Sequence, residues 1–217
     1  MIVVDFDGTL TAKGADECHS IFRDCWPADY NSDDWWDATH AEIQLREAGK
    51  LTREELERRV RNSSIRLLPA SVDLLRRAPC QVHIVSAGIT DVIQIVLNIH
   101  GVGDRAQVHA NDMCWSGDDV FDGFRGRYIT TSNKAELVQL AVPSACRVVV
   151  VGDHPNDLTL CAGSDRVTVG IGAATGDVCA YELDASTVDT IITHVQPTLA
   201  TRSAQEPRMG AGMASTK

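Results

Sequence analysis

The sequence lacks the features that mark membrane proteins, secreted proteins and proteins that bind nucleic acids. No apolar run approaches the ~20 residues that cross a bilayer, and no charged segment near residue 1 leads into an apolar stretch and a cleavage site. The 20 basic residues are outnumbered by 30 acidic ones, which gives a formal charge of −10. Because such a surface repels phosphate backbones and anionic lipids, we expect a cytoplasmic protein without nucleic-acid or membrane partners.

Aromatic residues and paired cysteines are also scarce. Only 5% of the residues are aromatic, and three of the four tryptophans lie between positions 26 and 36. The seven cysteines are an odd number without CxxC spacing, so we interpret them as reduced, mostly buried side chains rather than as a disulfide framework.

Short β-branched runs recur along the chain and predict strands at 2–4, 82–85, 147–151, 167–169 and 190–195. Their uninterrupted apolar character is typical of strands that are covered on both faces of a parallel sheet. Helical patterns at 91–100, 134–140 and 157–162 alternate with these strands. The alternation predicts an α/β fold with a Rossmann-like, doubly wound parallel sheet, whose chemistry lies at the carboxyl ends of the strands.

Nearly eighty residues separate the first two predicted strands, and their composition differs from that of the rest. Thr52 followed by Glu55 forms a capping box, which predicts a helix over 52–61. We therefore expect a core of residues 1–10 and 79–200, a helical cap of residues 11–78 and a disordered tail of residues 201–217. Within the core, the glycine-rich stretch 108–130 predicts a β-hairpin.

Two carboxylates follow the first predicted strand, in the segment Asp5-Phe6-Asp7-Gly8-Thr9. Acidic side chains spaced by two residues at a strand end repel each other, and a hard divalent cation such as Mg²⁺ relieves this repulsion. The alternative is an ordinary turn after a strand, which Asp-Gly sequences often form.

Polar groups of complementary kinds follow three later elements. Ser86, Ala87 and Gly88 combine a hydroxyl with backbone N–H groups ahead of a helix, which can hold an anion. Lys134 falls in a first helical turn, where a cation is unfavourable unless it points at an anion. Asp153 and Asp157 add two carboxylates after another strand, although Asp157 could simply cap a helix.

This ordered set resembles the four motifs of the haloacid dehalogenase superfamily. The resemblance implies a nucleophile at Asp5, a general acid and base at Asp7, and phosphate binding by Ser86, the Ala87 N–H and Lys134. It also implies Mg²⁺ held by Asp5, the Asp7 carbonyl and Asp153, with Asp157 supporting the site.

The insertion resembles the helical cap of the cytosolic type III pyrimidine 5′-nucleotidases. The similarity lies in Cys18-His19-Ser20-Ile21, in Asp34-Trp35-Trp36 with His40, in the segment from Ser86 to Val92, and in the segment from Phe121 to Lys134. By this resemblance Asp34, Trp35, Trp36 and His40 form a substrate-binding group, in which Asp34 helps to read a nucleobase. Because neighbouring helical residues point about 100° apart, at most one of the two tryptophans can stack on that base.

The expected function is hydrolysis of a nucleoside 5′-monophosphate, of pyrimidine type, by a Mg²⁺-dependent monomer or homodimer through an aspartyl-phosphate. Phosphoserine, a sugar phosphate or another small metabolite is the alternative substrate. Transfer to an acceptor other than water, or a non-catalytic binding role on the same fold, also remains open.

Overall fold

The structure is a computed structural model that describes residues 1–26, 35–142, 146–172 and 175–195. The predicted tail of residues 201–217 and the predicted base-reading Asp34 lie outside these residues. The elements in chain order are β1 (Ile2–Val4), α1 (Trp35–Glu47), α2 (Arg53–Asn62), α3 (Pro69–Arg77), β2 (Val82–Ile89), α4 (Thr90–Ile99), β3 (Ala106–Asn111), β4 (Met113–Trp115), β5 (Phe121–Phe124), α5 (Lys134–Leu137), β6 (Val148–Gly152), β7 (Arg166–Ile171), β8 (Val178–Ala180) and α6 (Ala185–Val195).

The larger sheet has six strands in the order β3-β2-β1-β6-β7-β8, and every neighbouring pair is parallel. Successive side chains of β1 point to opposite faces, where Ile2 and Val4 join one apolar cluster and Val3 joins another. Both faces of the central strands are therefore covered, which explains their continuous apolar runs. The predicted α/β class is confirmed, and the parallel strands bring the ends of β1, β2 and β6 to one edge.

Several local predictions need correction. Residues 190–195 are not a strand but part of α6, because Val188, Ile191, Ile192 and Val195 recur at helical spacing and are buried. The helix predicted at 134–140 ends at Leu137, and the one at 157–162 is a short 3-10 turn at Asp157–Thr159. The hairpin consists of β4 and β5 alone, because β3 pairs with β2 in the main sheet.

The two ends of the helical insertion meet at the joint where it leaves and rejoins the sheet. Thr11 and Leu67 form an antiparallel bridge, and the Leu68 N–H donates to the Leu10 carbonyl at 3.0 Å. The α2 helix begins as predicted, since the Thr52 hydroxyl accepts from the Glu55 N–H at 3.1 Å.

The elements around the joint pack against three partners. The α1 helix packs against β5, α2 against α4, and α3 against α6. The division into a core and a cap of residues 11–78 stays a prediction, and α3, which falls within the predicted cap, packs against α6 of the predicted core. No helix in the described residues is long and apolar enough to cross a membrane.

Candidate active site

The loop after β1 carries Asp5 and Asp7 and lies directly against the loop after β6. The Asp5 N–H donates to the Val151 carbonyl at 3.0 Å, which extends the β1–β6 ladder by one residue. Gly8 then turns the chain with φ +73°, and a Cβ atom there would lie 2.7 Å from Oδ2 of Asp153. The turn therefore requires glycine, and the absent side chain is what brings the two acidic loops together.

A buried lysine joins two of these carboxylates. Lys134 Nζ lies 2.8 Å from Oδ1 of Asp5 and also forms an ion pair with Asp157. Burial alone would lower the pKa of Lys134, but the two carboxylates raise it above its ordinary value, so the lysine stays charged. Lys134 therefore points at anionic groups, as predicted, and these groups are the carboxylates of Asp5 and Asp157.

Three carboxylates at this edge are close enough to share a cation. Oxygen atoms of Asp5, Asp153 and Asp157 lie within 4.8 Å of one another. Hard oxygen donors at this spacing suit Mg²⁺, which takes few carboxylates and fills its other positions with water and phosphate oxygens. The side chain of Asp7 is not part of this group, and the resemblance gives its carbonyl, not its carboxylate, to the metal.

The Asp7 carboxylate faces the insertion instead. Its Oδ1 accepts a hydrogen bond from the Cys18 N–H at 3.1 Å, at the start of the 3-10 helix Cys18–Cys25. Burial and then the charge of Asp5 raise the pKa of Asp7 to about 8. Burial likewise raises the pKa of Asp5, to about 7, against the opposing effect of Lys134. Asp7 is therefore a carboxyl group that can carry a proton beside the proposed nucleophile.

The predicted anion cradle lies at the end of β2. Ser86 is buried, and its Oγ accepts from the Gly88 N–H at 2.9 Å, so this amide already has a partner within the cradle. A Cβ atom on Gly88 would lie 2.8 Å from Sγ of Cys18, which shows how tightly the insertion packs on this turn.

These groups surround one small cavity of about 140 Å³. It is lined by Asp5, Asp7, Glu17, Trp36, Ser86, Ala87, Thr131, Lys134, His154 and Asp157. Six of the predicted site residues thus line it together with Trp36. Asp153 lies beside it, with its Oδ2 3.5 Å from Nζ of Lys13.

The two tryptophans of α1 differ in exposure and in their position relative to the cavity. Trp36 is half-buried and lines the cavity, whereas Trp35 is 6% exposed and packs inside the insertion. The two indole rings contact each other edge-on with centroids 4.9 Å apart, and the His19 ring contacts both, with its centroid 4.9 Å from Trp36 and 6.0 Å from Trp35. Of the pair, Trp36 is therefore the one that can meet a substrate.

His40 lies behind Trp36 and is fully buried. Its Nδ1 is 2.8 Å from the Trp36 carbonyl and its Nε2 is 3.3 Å from Nε2 of His19. Because the carbonyl only accepts, Nδ1 of His40 carries the proton and its Nε2 accepts from His19. His40 also stacks on Tyr128 at 4.4 Å, so it supports the cavity wall from behind.

Both histidines of this pair are neutral. Burial lowers the pKa of His40 to about 4, despite the Trp36 carbonyl. Burial, and then the neighbouring His40, lowers the pKa of His19 well below its ordinary value. The wall behind Trp36 is therefore uncharged, in contrast to the floor of the cavity.

Sequence reasoning missed four residues of this site. Glu17, Thr131 and His154 line the cavity. Asn111 is 4% exposed and donates to the Ala87 carbonyl in the cradle and to the Ile129 carbonyl ahead of Lys134. None of the four belongs to a periodic or spaced pattern; the only available signal is their position next to a strand end or a motif.

The sheet order, the acidic strand ends and the buried lysine form the arrangement that the resemblance to the haloacid dehalogenase superfamily implies. The family model described as pyrimidine 5′-nucleotidase (UMPH-1) matches residues 29–178. The chain belongs to this family and is a phosphoric monoester hydrolase.

Among solved structures, the chain is similar to cytosolic 5′-nucleotidase IIIB bound to cytidine. The TM-score is 0.67 at 18% identity, over 90% of this chain and 84% of that one. Substrate-bound phosphoserine phosphatase gives a TM-score of 0.53 at 15% identity, over 88% and 97% of the chains. A haloacid dehalogenase family hydrolase of Salmonella enterica subsp. enterica serovar Typhi gives 0.57 at 14%, over 91% and 72%. At these identities the likeness shows a shared fold. Among curated proteins, none matches.

Proposed function

We propose that the protein hydrolyses a nucleoside 5′-monophosphate, of pyrimidine type, with Mg²⁺ and through an aspartyl-phosphate on Asp5. The observation that carries this proposal is the contact of Lys134 with both Asp5 and Asp157 beside a third carboxylate, Asp153. Phosphoryl transfer requires positioning and charge neutralisation above all, and these residues can supply both.

In the first step an oxygen of the Asp5 carboxylate attacks phosphorus, and the bond to the ester oxygen breaks. Asp7 gives its proton to the leaving oxygen, which departs as the nucleoside hydroxyl. Ser86, the Ala87 N–H and Lys134 hold the other phosphate oxygens. The insertion, through Trp36 and Glu17, limits the access of water during this step.

In the second step water attacks the phosphorus of the aspartyl-phosphate, and Asp7 takes a proton from this water. The bond between phosphorus and the Asp5 oxygen breaks, inorganic phosphate leaves, and both carboxyl groups return to their starting states. Asp5, Asp153 and the carbonyl of Asp7 would hold Mg²⁺, supported by Asp157. The ion would supply positive charge to the phosphate oxygens.

The charges of the insertion support an uncharged leaving group. Three arginines of its α2 helix are already paired: Arg58 with Glu55, Arg59 with Glu47 and Glu55, and Arg61 with Glu57. Of the described residues that line the cavity, Lys134 is the one with a positive charge. A substrate with a second anionic group, such as phosphoserine, finds no second lysine or arginine among the described residues that line the cavity, and the nearby Lys13 is paired with Asp153. This favours a nucleoside over the alternative acidic metabolites.

The family match and the cytidine that cytosolic 5′-nucleotidase IIIB binds support the pyrimidine assignment. In our proposal the base stacks on Trp36 and Asp34 contacts its polar edge. The similarity to cytosolic 5′-nucleotidase IIIB also supports a cytoplasmic location. We expect the protein to be a monomer or a homodimer.

The test is phosphate release with Mg²⁺ from UMP, CMP, GMP, AMP, phosphoserine and sugar phosphates. We expect a pyrimidine nucleotide to exceed phosphoserine in kcat/KM by about a hundredfold or more, a difference of about 2.7 kcal/mol in transition-state binding. A preference for phosphoserine or a sugar phosphate would overturn the nucleotidase proposal and leave the phosphatase class intact.

A further inference from the structure

The phosphate cradle interrupts the regular pairing of β2 with β3. Val85 pairs with His109 and Ile89 pairs with Asn111, so β2 advances four residues while β3 advances two. Ser86, Ala87 and Gly88 therefore bulge out of the ladder. A bulge leaves carbonyl groups without their strand partners, and a buried carbonyl needs a donor.

The side chain of Asn111 supplies those donors. Its Nδ2 donates to the Ala87 carbonyl at 2.8 Å and to the Gly88 carbonyl at 2.9 Å. Asn111 is the last residue of β3 and is 4% exposed, so water does not compete for these bonds. The amide thus takes the place of the missing ladder at the bulge that forms the cradle.

The same amide also holds the segment that leads to Lys134. Nδ2 donates to the Ile129 carbonyl at 2.9 Å, and Oδ1 accepts from the Ile129 N–H at 2.7 Å. The side chain of Asn133 then ties this segment together, accepting from the Thr130 N–H at 2.8 Å and donating to the Tyr128 carbonyl at 3.1 Å. The Lys134 N–H donates to the Thr130 carbonyl at 3.1 Å.

We propose that Asn111 is a positioning residue that fixes the phosphate cradle relative to the Lys134 ammonium. This role rests on the function proposed above. It touches neither the phosphate nor the nucleophile. One side chain joins two segments that are far apart in sequence and that grip the same phosphate from two sides. Only an amide can do this, because the position needs an acceptor oxygen and two N–H donors, one of which is shared between two of the three carbonyl oxygens.

The test compares Asn111→Leu and Asn111→Ala with Thr187→Val. Thr187 is also buried, and its Oγ1 donates to Oδ1 of Asp184 at 2.8 Å at the start of α6, away from the cradle. Each variant is assayed with p-nitrophenyl phosphate and Mg²⁺, and its thermal unfolding is recorded. Inhibition by orthovanadate and by orthophosphate is measured on the same preparations.

We expect Asn111→Leu to lower kcat by about 100-fold, since a displacement of about 1 Å has that effect, with a smaller change in KM. Affinity for orthovanadate, which resembles the transition state, should fall more than affinity for orthophosphate. Formamide carries the missing amide group, so it should restore part of the activity of Asn111→Ala. Thr187→Val should unfold at a lower temperature with its kcat and inhibition unchanged.

A kcat for Asn111→Leu within twofold of the wild type would overturn the proposal. The proposal would also be overturned if the loss of activity equalled the fraction of unfolded protein and the affinities for orthovanadate and orthophosphate fell by the same factor. If the wild type cleaves no phosphate ester, the proposed function fails. Direct binding of orthovanadate and orthophosphate to wild type and variants then still decides the role of Asn111.

Discussion

The cavity has two walls that are held by opposite means. On the sheet side, Asp5, Lys134 and Asp157 are buried charges in mutual contact. On the insertion side, Trp36 and Glu17 line the cavity, and the neutral rings of His19 and His40 stand behind Trp36 in edge contact. The charged wall suits one chemical group, the phosphate, and the aromatic wall suits a flat, uncharged one.

The contrast explains which wall tolerates change. A buried ion pair that loses a partner leaves an uncompensated charge, so alterations of the sheet side have large effects on both folding and chemistry. Aromatic contacts depend on area and shape and tolerate several partners. We therefore expect the reaction to be fixed by the sheet edge and the choice of substrate to be set by the insertion.

Replacement of the proposed nucleophile tests the charged wall most severely. Asp5→Asn keeps the shape of the side chain but removes the attacking oxygen's charge, so we expect turnover to fall by several orders of magnitude for every substrate. Thermal unfolding should show a folded protein. If a preparation whose mass confirms the substitution still released phosphate at a rate near that of the wild type, Asp5 would not be the nucleophile.

Loss of the lysine should come next in size. Lys134→Met leaves Asp5 and Asp157 facing each other without a cation, and we expect kcat to fall by about 10²- to 10³-fold. The free energy of unfolding should fall by about 3–5 kcal/mol in denaturant titrations without Mg²⁺. Full activity together with unchanged stability would contradict the assigned contacts.

The two tryptophans provide a matched pair for the aromatic wall. Trp36→Ala should lower kcat/KM for the preferred nucleotide by about 5- to 150-fold, as expected for loss of 1–3 kcal/mol of stacking, and much less for p-nitrophenyl phosphate. Trp35→Phe should lower the unfolding temperature but leave the ratio between the two substrates unchanged. If Trp35→Phe changed the ratio between the two substrates and Trp36→Ala did not, the base would stack on Trp35 instead.

The neutral histidine pair predicts a smaller effect that depends on pH. Unfolded histidine titrates near pH 6.5, whereas burial lowers the pKa of His40 to about 4. Between these values the unfolded chain binds the extra proton, so stability falls as the pH falls, by up to about 1.4 kcal/mol per pH unit. This contribution is complete above about pH 7.

The check is unfolding of the wild type and of His40→Gln between pH 7.5 and 4.5. The stability of the wild type should decrease more steeply over this range than that of the variant. Equal slopes would show that His40 does not become protonated on unfolding.

The sequence was most informative where the physical cause is local. Carboxylates after an apolar strand, and a lysine in a first helical turn, can be recognised from adjacent residues, and the structure brings Asp5, Lys134 and Asp157 together as expected. The N-cap at Thr52 is equally local and is confirmed, whereas the Glu55 carboxylate, expected to complete a capping box, accepts from Arg58 and Arg59 instead.

The prediction was weaker where a cause is distant or ambiguous. The β-branched residues Thr190, Ile191 and Ile192 suggested a strand, but burial at helical spacing against α3 places them in α6. The His19–His40 contact joins two residues 21 positions apart, which no local pattern reveals. Asn111 is a single polar residue whose importance lies in a bulge of another strand.

The bridge between Thr11 and Leu67 has one further consequence. The insertion leaves and rejoins the sheet at adjacent positions, so it forms a closed loop between two neighbouring points of the core. The entropic cost of closing such a loop changes only slowly with its length. The length of the segment can therefore vary at this joint with little entropic cost, provided that the exchanged segment keeps the buried contacts of α1 with β5 and of α2 with α4. Transplanting residues 12–66 between related hydrolases is a direct way to build an enzyme with the same chemistry and a new substrate.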